Sequence, residues 1–183
     1  MGSIFGFAAL TLLSYILIVL NIPYLIIPIL VLALVASRKF LVRIIRSIRI
    51  KLNTQTILVL VVFAIGIIGQ LAIIVPSGTY QNGDLVFWSA HGHDGTWHMA
   101  LMEEMKKGYP FQNPIFTGSA LQNYHFFSDI LPSVVGKYTG ISNEYLYFKL
   151  FPLFYSLFLG ASVYFLTKRL TNSSSASLWA TIF

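Results

Sequence analysis

Cysteine is absent from this 183-residue chain, which excludes disulfides, thiolate metal sites and cysteine nucleophiles. Charge is scarce as well: 10% of the residues are Asp, Glu, Lys or Arg, against about a quarter in soluble domains. Carboxylates are scarcest, numbering six, and Asp84, Asp94, Glu103, Glu104, Asp129 and Glu144 all fall in one stretch of the chain. What is abundant is apolar surface, with 56% hydrophobic residues and a mean hydropathy of +0.75. That balance is incompatible with an ordinary soluble domain and describes an all-α integral membrane protein. The N-terminus, Met1-Gly-Ser, has no basic region, and no small-residue cleavage pattern follows its apolar run, so it reads as a retained segment rather than a signal peptide.

A helix needs about 20 apolar residues to cross a ~30 Å hydrocarbon core. Residues 1–36 contain two apolar runs separated by Asn21-Ile-Pro23, which predicts a membrane hairpin. Residues 37–52 hold six of the twelve basic residues, Arg38, Lys39, Arg43, Arg46, Arg49 and Lys51, among Phe40, Leu41, Ile44, Ile45, Ile48 and Ile50. That pattern predicts an amphipathic segment on the cytoplasmic surface, with anionic membrane lipid over 38–51 as its partner and no nucleic acid. Residues 53–75 form the cleanest span, interrupted only by Gly66, Gly69 and Gln70. Residues 76–144 are then an extracytoplasmic loop with short amphipathic helices, and residues 145–183 a further span, a cytoplasmic turn after Lys168-Arg169 and the start of another. About four transmembrane helices and the start of a fifth are expected in the plasma membrane. The apolar run from Ala176 is too short to cross, so the chain reads as the N-terminal part of a longer protein.

The loop carries the chemistry. All four histidines lie in it, three of them in His91-Gly-His93-Asp94-Gly-Thr-Trp97-His98. A helix is predicted from near Thr96 to Lys107, stopped by Gly108-Tyr-Pro110, with Asp94, His98, Leu101 and Met105 on one stripe and Glu103 paired with Lys107. Asp94 at its start is either an N-cap or an ionised general base. Further on, Gln122-Asn123-Tyr124-His125-Phe-Phe-Ser-Asp129 mixes hydrogen-bonding groups with aromatic faces, a composition suited to a sugar, and His125 and Asp129 pair at i, i+4 if the segment is helical. Asn123, Tyr124, His125 and Asp129, with His98 and Lys106, are the candidate substrate-binding residues. His91, His93, Asp94 and His98 also contain enough imidazole and carboxylate for a zinc site. Their order matches the opening of the HxHxDH box of metallo-hydrolases, but Gly95 and Thr96 stand where its second Asp-His pair belongs.

An early span, an outer loop with Asp94 and His98, a short helix ending at Gly108, a Pro/Asn-rich strip and then Asn123-Tyr-His125 resemble the first outer loop of GT-C membrane glycosyltransferases, nearest the protein mannosyltransferase and aminoarabinose transferase group. The resemblance covers about residues 87–131. It implies inverting transfer of a sugar from a polyprenyl-phosphate donor to an acceptor hydroxyl on the outer face, with Asp94 as the catalytic carboxylate and a divalent metal as a possible cofactor. Many relatives carry an Asp-Glu or Asp-x-Asp pair where Asp94 is followed by Gly95-Thr96. The alternatives are a metal-dependent membrane hydrolase built on the histidine cluster and a non-enzymatic membrane subunit.

Overall fold

The computed structural model describes residues 2–47 and 53–182, so Ile48, Arg49, Ile50, Lys51 and Leu52 of the expected basic segment lie outside the described residues. Helix α1 (Gly2–Val19) ends in a Schellman turn. Asn21 takes the left-handed position at φ 58°, Ile22 N–H donates to Leu17 O and Asn21 N–H to Ile18 O, which satisfies carbonyls that the helix end would otherwise leave open. A 3-10 turn, Pro23–Leu25, then leads into α2 (Ile26–Ser47), so a turn at Asn21-Ile-Pro23 joins the two helices as expected. One boundary is corrected here. Helix α2 runs unbroken through Ala36 and Ser37, and Arg38, Lys39, Arg43 and Arg46 continue it rather than forming a separate element.

Helix α3 (Thr54–Ile74) is capped by Asn53, whose side chain accepts Thr56 N–H at 2.8 Å. Three helical stretches are long and apolar enough to cross a membrane: Pro23–Arg43, Thr54–Ile74 and Asn143–Thr171. The apolar stretch Phe5–Val19 in α1 is shorter than these. The protein is therefore a helical membrane protein with three such spans among the described residues.

Between the second and third spans comes the loop. Strands β1 (Thr79–Gln81) and β2 (Asp84–Val86) form a hairpin closed by Asn82-Gly83, both at positive φ, the two-residue turn that matches strand twist. Helices α4 (His91–Lys107), α5 (Phe127–Thr139) and α6 (Asn143–Tyr145) follow, then a π-turn (Leu146–Leu150), α7 (Phe151–Thr171) and α8 (Ser174–Ile182). The π-turn has a local cause. Pro152 lacks an N–H and its ring crowds the carbonyl four residues back, so the chain takes one wider turn, with Phe151 N–H donating to Leu146 O.

The core joins the loop to the α1–α2 hairpin. Leu17, Ile18 and Ile26 at the hairpin tip pack with Leu101, Met105, Phe111, Ile130 and Val134, while Met102, Leu131, Leu146 and Phe151 form a neighbouring cluster. Each fully buried aliphatic side chain contributes roughly 1.5–3 kcal/mol. Because α2 starts in this core and is 22 residues long, its basic end lies about 33 Å away at 1.5 Å per residue. Lys149 Nζ donates to the carbonyls of Val75 and Ser77, the latter at 2.6 Å, and so closes the C-terminal end of α3 rather than extending into solvent.

Candidate active site

Helix α4 begins at His91, five residues before the expected start, and this relocates the motif. Its N-cap is Ala90, which makes no side-chain cap bond, so Asp94 is a first-turn residue and not the cap. Residues 122–126 are not helical; α5 starts at Phe127, and the expected His125–Asp129 pair does not form. Asp129 instead meets His98 of α4, with Nδ1–H donating to Oδ2 at 2.8 Å. Both groups are buried, at 8% and 1% exposure. An ionised carboxylate oxygen only accepts, so the proton sits on Nδ1 and the Nε2 edge faces away, with Tyr124 Oη 3.4 Å from it. Tyr147 of the π-turn stacks on the imidazole at 5.4 Å.

The hydrogen bond to Asp129 raises the His98 pKa above the ordinary imidazole range; burial opposes it, and the charges of Asp129 and Asp94 add to it. A folded-state pKa above the unfolded value of about 6.5 means that the stabilisation is complete below that value and is lost as pH rises through the folded pKa. The protein is therefore expected to melt at a higher temperature near pH 6 than near pH 8, and Asp129→Asn to flatten the difference. Thermal unfolding of wild type and variant in detergent measures this; an equal slope in both would assign the pH dependence elsewhere.

The dyad opens on a cavity of about 390 Å³. Its loop-side wall includes His91, His98, His125 and Asp129, and its membrane-side wall includes Gln70 and Ile74 of α3 and Pro152, Tyr155 and Ser156 of α7. Ser156 Oγ donates to Gln70 Oε1 at 2.6 Å, a polar couple inside two spans, where such residues are costly unless they serve a site. His91 is tied through Nδ1 to Ser77 Oγ at 2.9 Å. The ring of Phe148 lies between the two histidines on the helix surface: a Cβ on Gly95 would stand 2.3 Å from its Cζ, and one on Gly78 2.4 Å from its Cδ2.

Asp94 occupies the rim of a second, open groove of about 760 Å³, with His93, Trp97, Pro114, Ile115 and Tyr124. His93 Nδ1 bonds Asp94 Oδ1 at 2.8 Å, and both side chains are exposed. That bond holds the Asp94 carboxyl below its usual range; desolvation opposes it, and the charges of His93, His98 and His125 lower it further. Tyr124 lines this groove and also reaches His98, so it stands between the groove and the cavity.

Of the candidate binding residues, His98, Tyr124, His125 and Asp129 are brought together. Lys106 is not among them: it bonds Glu103 at 2.6 Å and packs on Gly136, while Lys107 bonds Glu104, so the expected Glu103–Lys107 pair is replaced by two i, i+3 pairs. Asn123 is an exposed left-handed turn residue. The zinc arrangement is dispersed, with His91 on Ser77, His93 on Asp94 and His98 on Asp129, and among the described residues no three His, Asp or Glu side chains converge to hold a metal. The residues present therefore do not fit a resident divalent ion. Ser77, Tyr147 and Ser156 carried no signal in sequence; Gln70 did, as the polar interruption of an otherwise apolar span. Compared with protein-family models, with curated proteins and with solved structures, the chain matches none.

Proposed function

We propose that the chain is part of a membrane glycosyltransferase that moves a sugar from a polyprenyl-phosphate donor to an acceptor hydroxyl on the outer face of the plasma membrane. The observation that supports this reading is the cavity shared between two apolar helices and the imidazole- and carboxylate-bearing loop helices, with Asp94 on a water-facing groove beside it. An amphiphilic donor needs an apolar wall for its chain and polar donors for its phosphate, and an acceptor needs a base reachable from water. Asp94 and His98 are one helical turn apart, about 6 Å along the axis. In this reaction Asp94 takes the acceptor hydroxyl's proton as the new C–O bond forms with inversion. The bond from the anomeric carbon to the phosphate oxygen breaks, and the His98 imidazolium stabilises the leaving phosphate.

The reading also proposes four spans, with α1 as the first, and an outer position for the loop, because the basic ends of α2 and α7 then share the cytoplasmic side with anionic lipid headgroups. The chain has no native cysteine to confuse labelling. Cysteines at exposed Ser89 and Ser142 are expected to react with an impermeant thiol reagent in intact cells, and one at Ser47 only after permeabilisation; the reverse pattern inverts the orientation. For the reaction itself, membranes containing the full-length protein are expected to transfer label from a polyprenyl-phosphate sugar to an acceptor above the level of membranes lacking it. Equal labelling in the two overturns the transferase reading.

A further inference from the structure

The groove beside Asp94 has a chemistry of its own. Asp94 and Trp97 stand three residues apart on α4, so their side chains share one side of the helix, and both line the groove. Tyr124 lines it as well, with its ring 5.3 Å from the indole and inclined to it by 60°, so the two rings form a corner rather than a stack. The indole Nε1 is buried while the residue as a whole is half-buried, which leaves carbon as the surface that Trp97 offers. Pro114 and Ile115 add further apolar wall, and their place is fixed locally: Asn113 Oδ1 accepts the N–H of Ile115 at 2.9 Å and that of Phe116 at 3.1 Å, and Asn113 N–H donates to Ser119 O at 2.8 Å. The polar element is Asp94, whose Oδ1 bonds His93 and whose Oδ2 is left as an acceptor.

We propose that this groove binds an uncharged sugar, whose C–H face rests on the Trp97 and Tyr124 rings while a hydroxyl donates to Asp94 Oδ2. A pyranose carries an apolar C–H face rimmed by hydroxyls, so one molecule matches both the aromatic corner and the carboxylate. Charge selects against the alternatives. No Lys or Arg lines the groove, so a phosphate-bearing ligand would meet the carboxylate with no such cation to offset it. An extended peptide takes its affinity from main-chain bonds to a strand edge, and none of the lining residues belongs to β1 or β2. The volume of about 760 Å³ is that of a small-ligand site. Identifying the sugar with the acceptor rests on the transferase reading; the binding itself does not. The acceptor is then a glycan hydroxyl, and the hydroxyl bonded to Asp94 is the one that loses its proton.

The test uses the full-length protein in nanodiscs, labelled with 5-fluorotryptophan, with the Trp97 ¹⁹F signal assigned by its loss in Trp97→Phe. The probes are methyl mannoside, methyl glucoside and cellobiose, compared with mannose 6-phosphate, glucose 6-phosphate and a serine-rich hexapeptide. At least one uncharged sugar is expected to shift the Trp97 signal to saturation, and each 6-phosphate to bind about tenfold more weakly than the best of them. Binding to the variants is followed by saturation transfer to the sugar. Trp97→Ala is expected to weaken it on the order of tenfold, and Trp97→Phe, which keeps a ring, by no more than about threefold. Ala100 is exposed and lines the groove, so Ala100→Phe fills the space without entering the core and is expected to abolish binding with the thermal midpoint unchanged. No shift with any of the sugars, equal binding of the 6-phosphates, preference for the hexapeptide, or sugar binding retained in Ala100→Phe overturns the site. Sugar binding without sugar transfer sinks the transferase reading alone, and transfer with no sugar bound in the groove sinks this inference alone.

Discussion

Asp94→Asn is expected to lower sugar transfer by a hundredfold or more while leaving expression and membrane insertion unchanged, in line with general-base contributions of roughly 10²–10⁴. Asparagine matches the volume of aspartate and can still bond His93, but it cannot take the acceptor's proton. The position makes the substitution cleaner than the sequence suggested. Asp94 is not the N-cap of α4, and its side chain is largely exposed, so neither a lost cap nor a buried vacancy complicates the result. His98→Asn is the companion variant, since it retains an N–H donor at the Nδ1 position for Asp129; it is expected to reduce transfer less than Asp94→Asn does. Turnover near the wild-type value in Asp94→Asn, measured with a polyprenyl-phosphate sugar, removes Asp94 from the reaction.

The second large effect is on architecture. Gly95→Ala is expected to destabilise the docking of α4 on the π-turn by about 1–3 kcal/mol, the usual cost of an extra carbon forced into a packed core. The added Cβ would meet Phe148 Cζ at 2.3 Å, and that ring is 2% exposed and held on its other edge by Gly78, so it can give way only toward the cavity that it lines. Because Gly95 lies between His91 and His98 along the helix, displacement of the ring also shifts the cavity wall. Phe148→Leu should recover much of the loss when combined with Gly95→Ala and cost stability alone, so a double-mutant cycle on thermal unfolding reads the contact directly. Additive effects would show that the two residues are not in contact.

Membrane class and the apolar stretches of the three span-length helices were legible before any coordinates, because they depend on one-dimensional quantities. Apolar run length decides whether a helix can cross, and Arg38 to Arg46 mark one end of a span by charge alone. The hairpin tip at Asn21-Ile-Pro23 and the turn at Asn82-Gly83 were readable for a similar reason: each depends on the backbone preferences of two or three adjacent residues. The start of α4 was not, since no capping side chain marks it and Gly92 and Gly95 look like loop residues when read singly. Gly95 is glycine because Phe148, more than fifty positions away, lies against it.

The chain itself thus determined where the long apolar stretches lie, and that the carboxylates and imidazoles gather in a single loop. Tertiary packing decided which of those groups meet. His98 takes Asp129 rather than joining His91 and His93, Lys106 goes to Glu103, and Ser77, Tyr147 and Ser156 enter the site without a signal in the sequence. The physical reason is range: helix periodicity and turn propensity act over a few residues, whereas the His98–Asp129 bond and the Phe148 wedge form only when α4, α5 and the π-turn bury their apolar faces against one another.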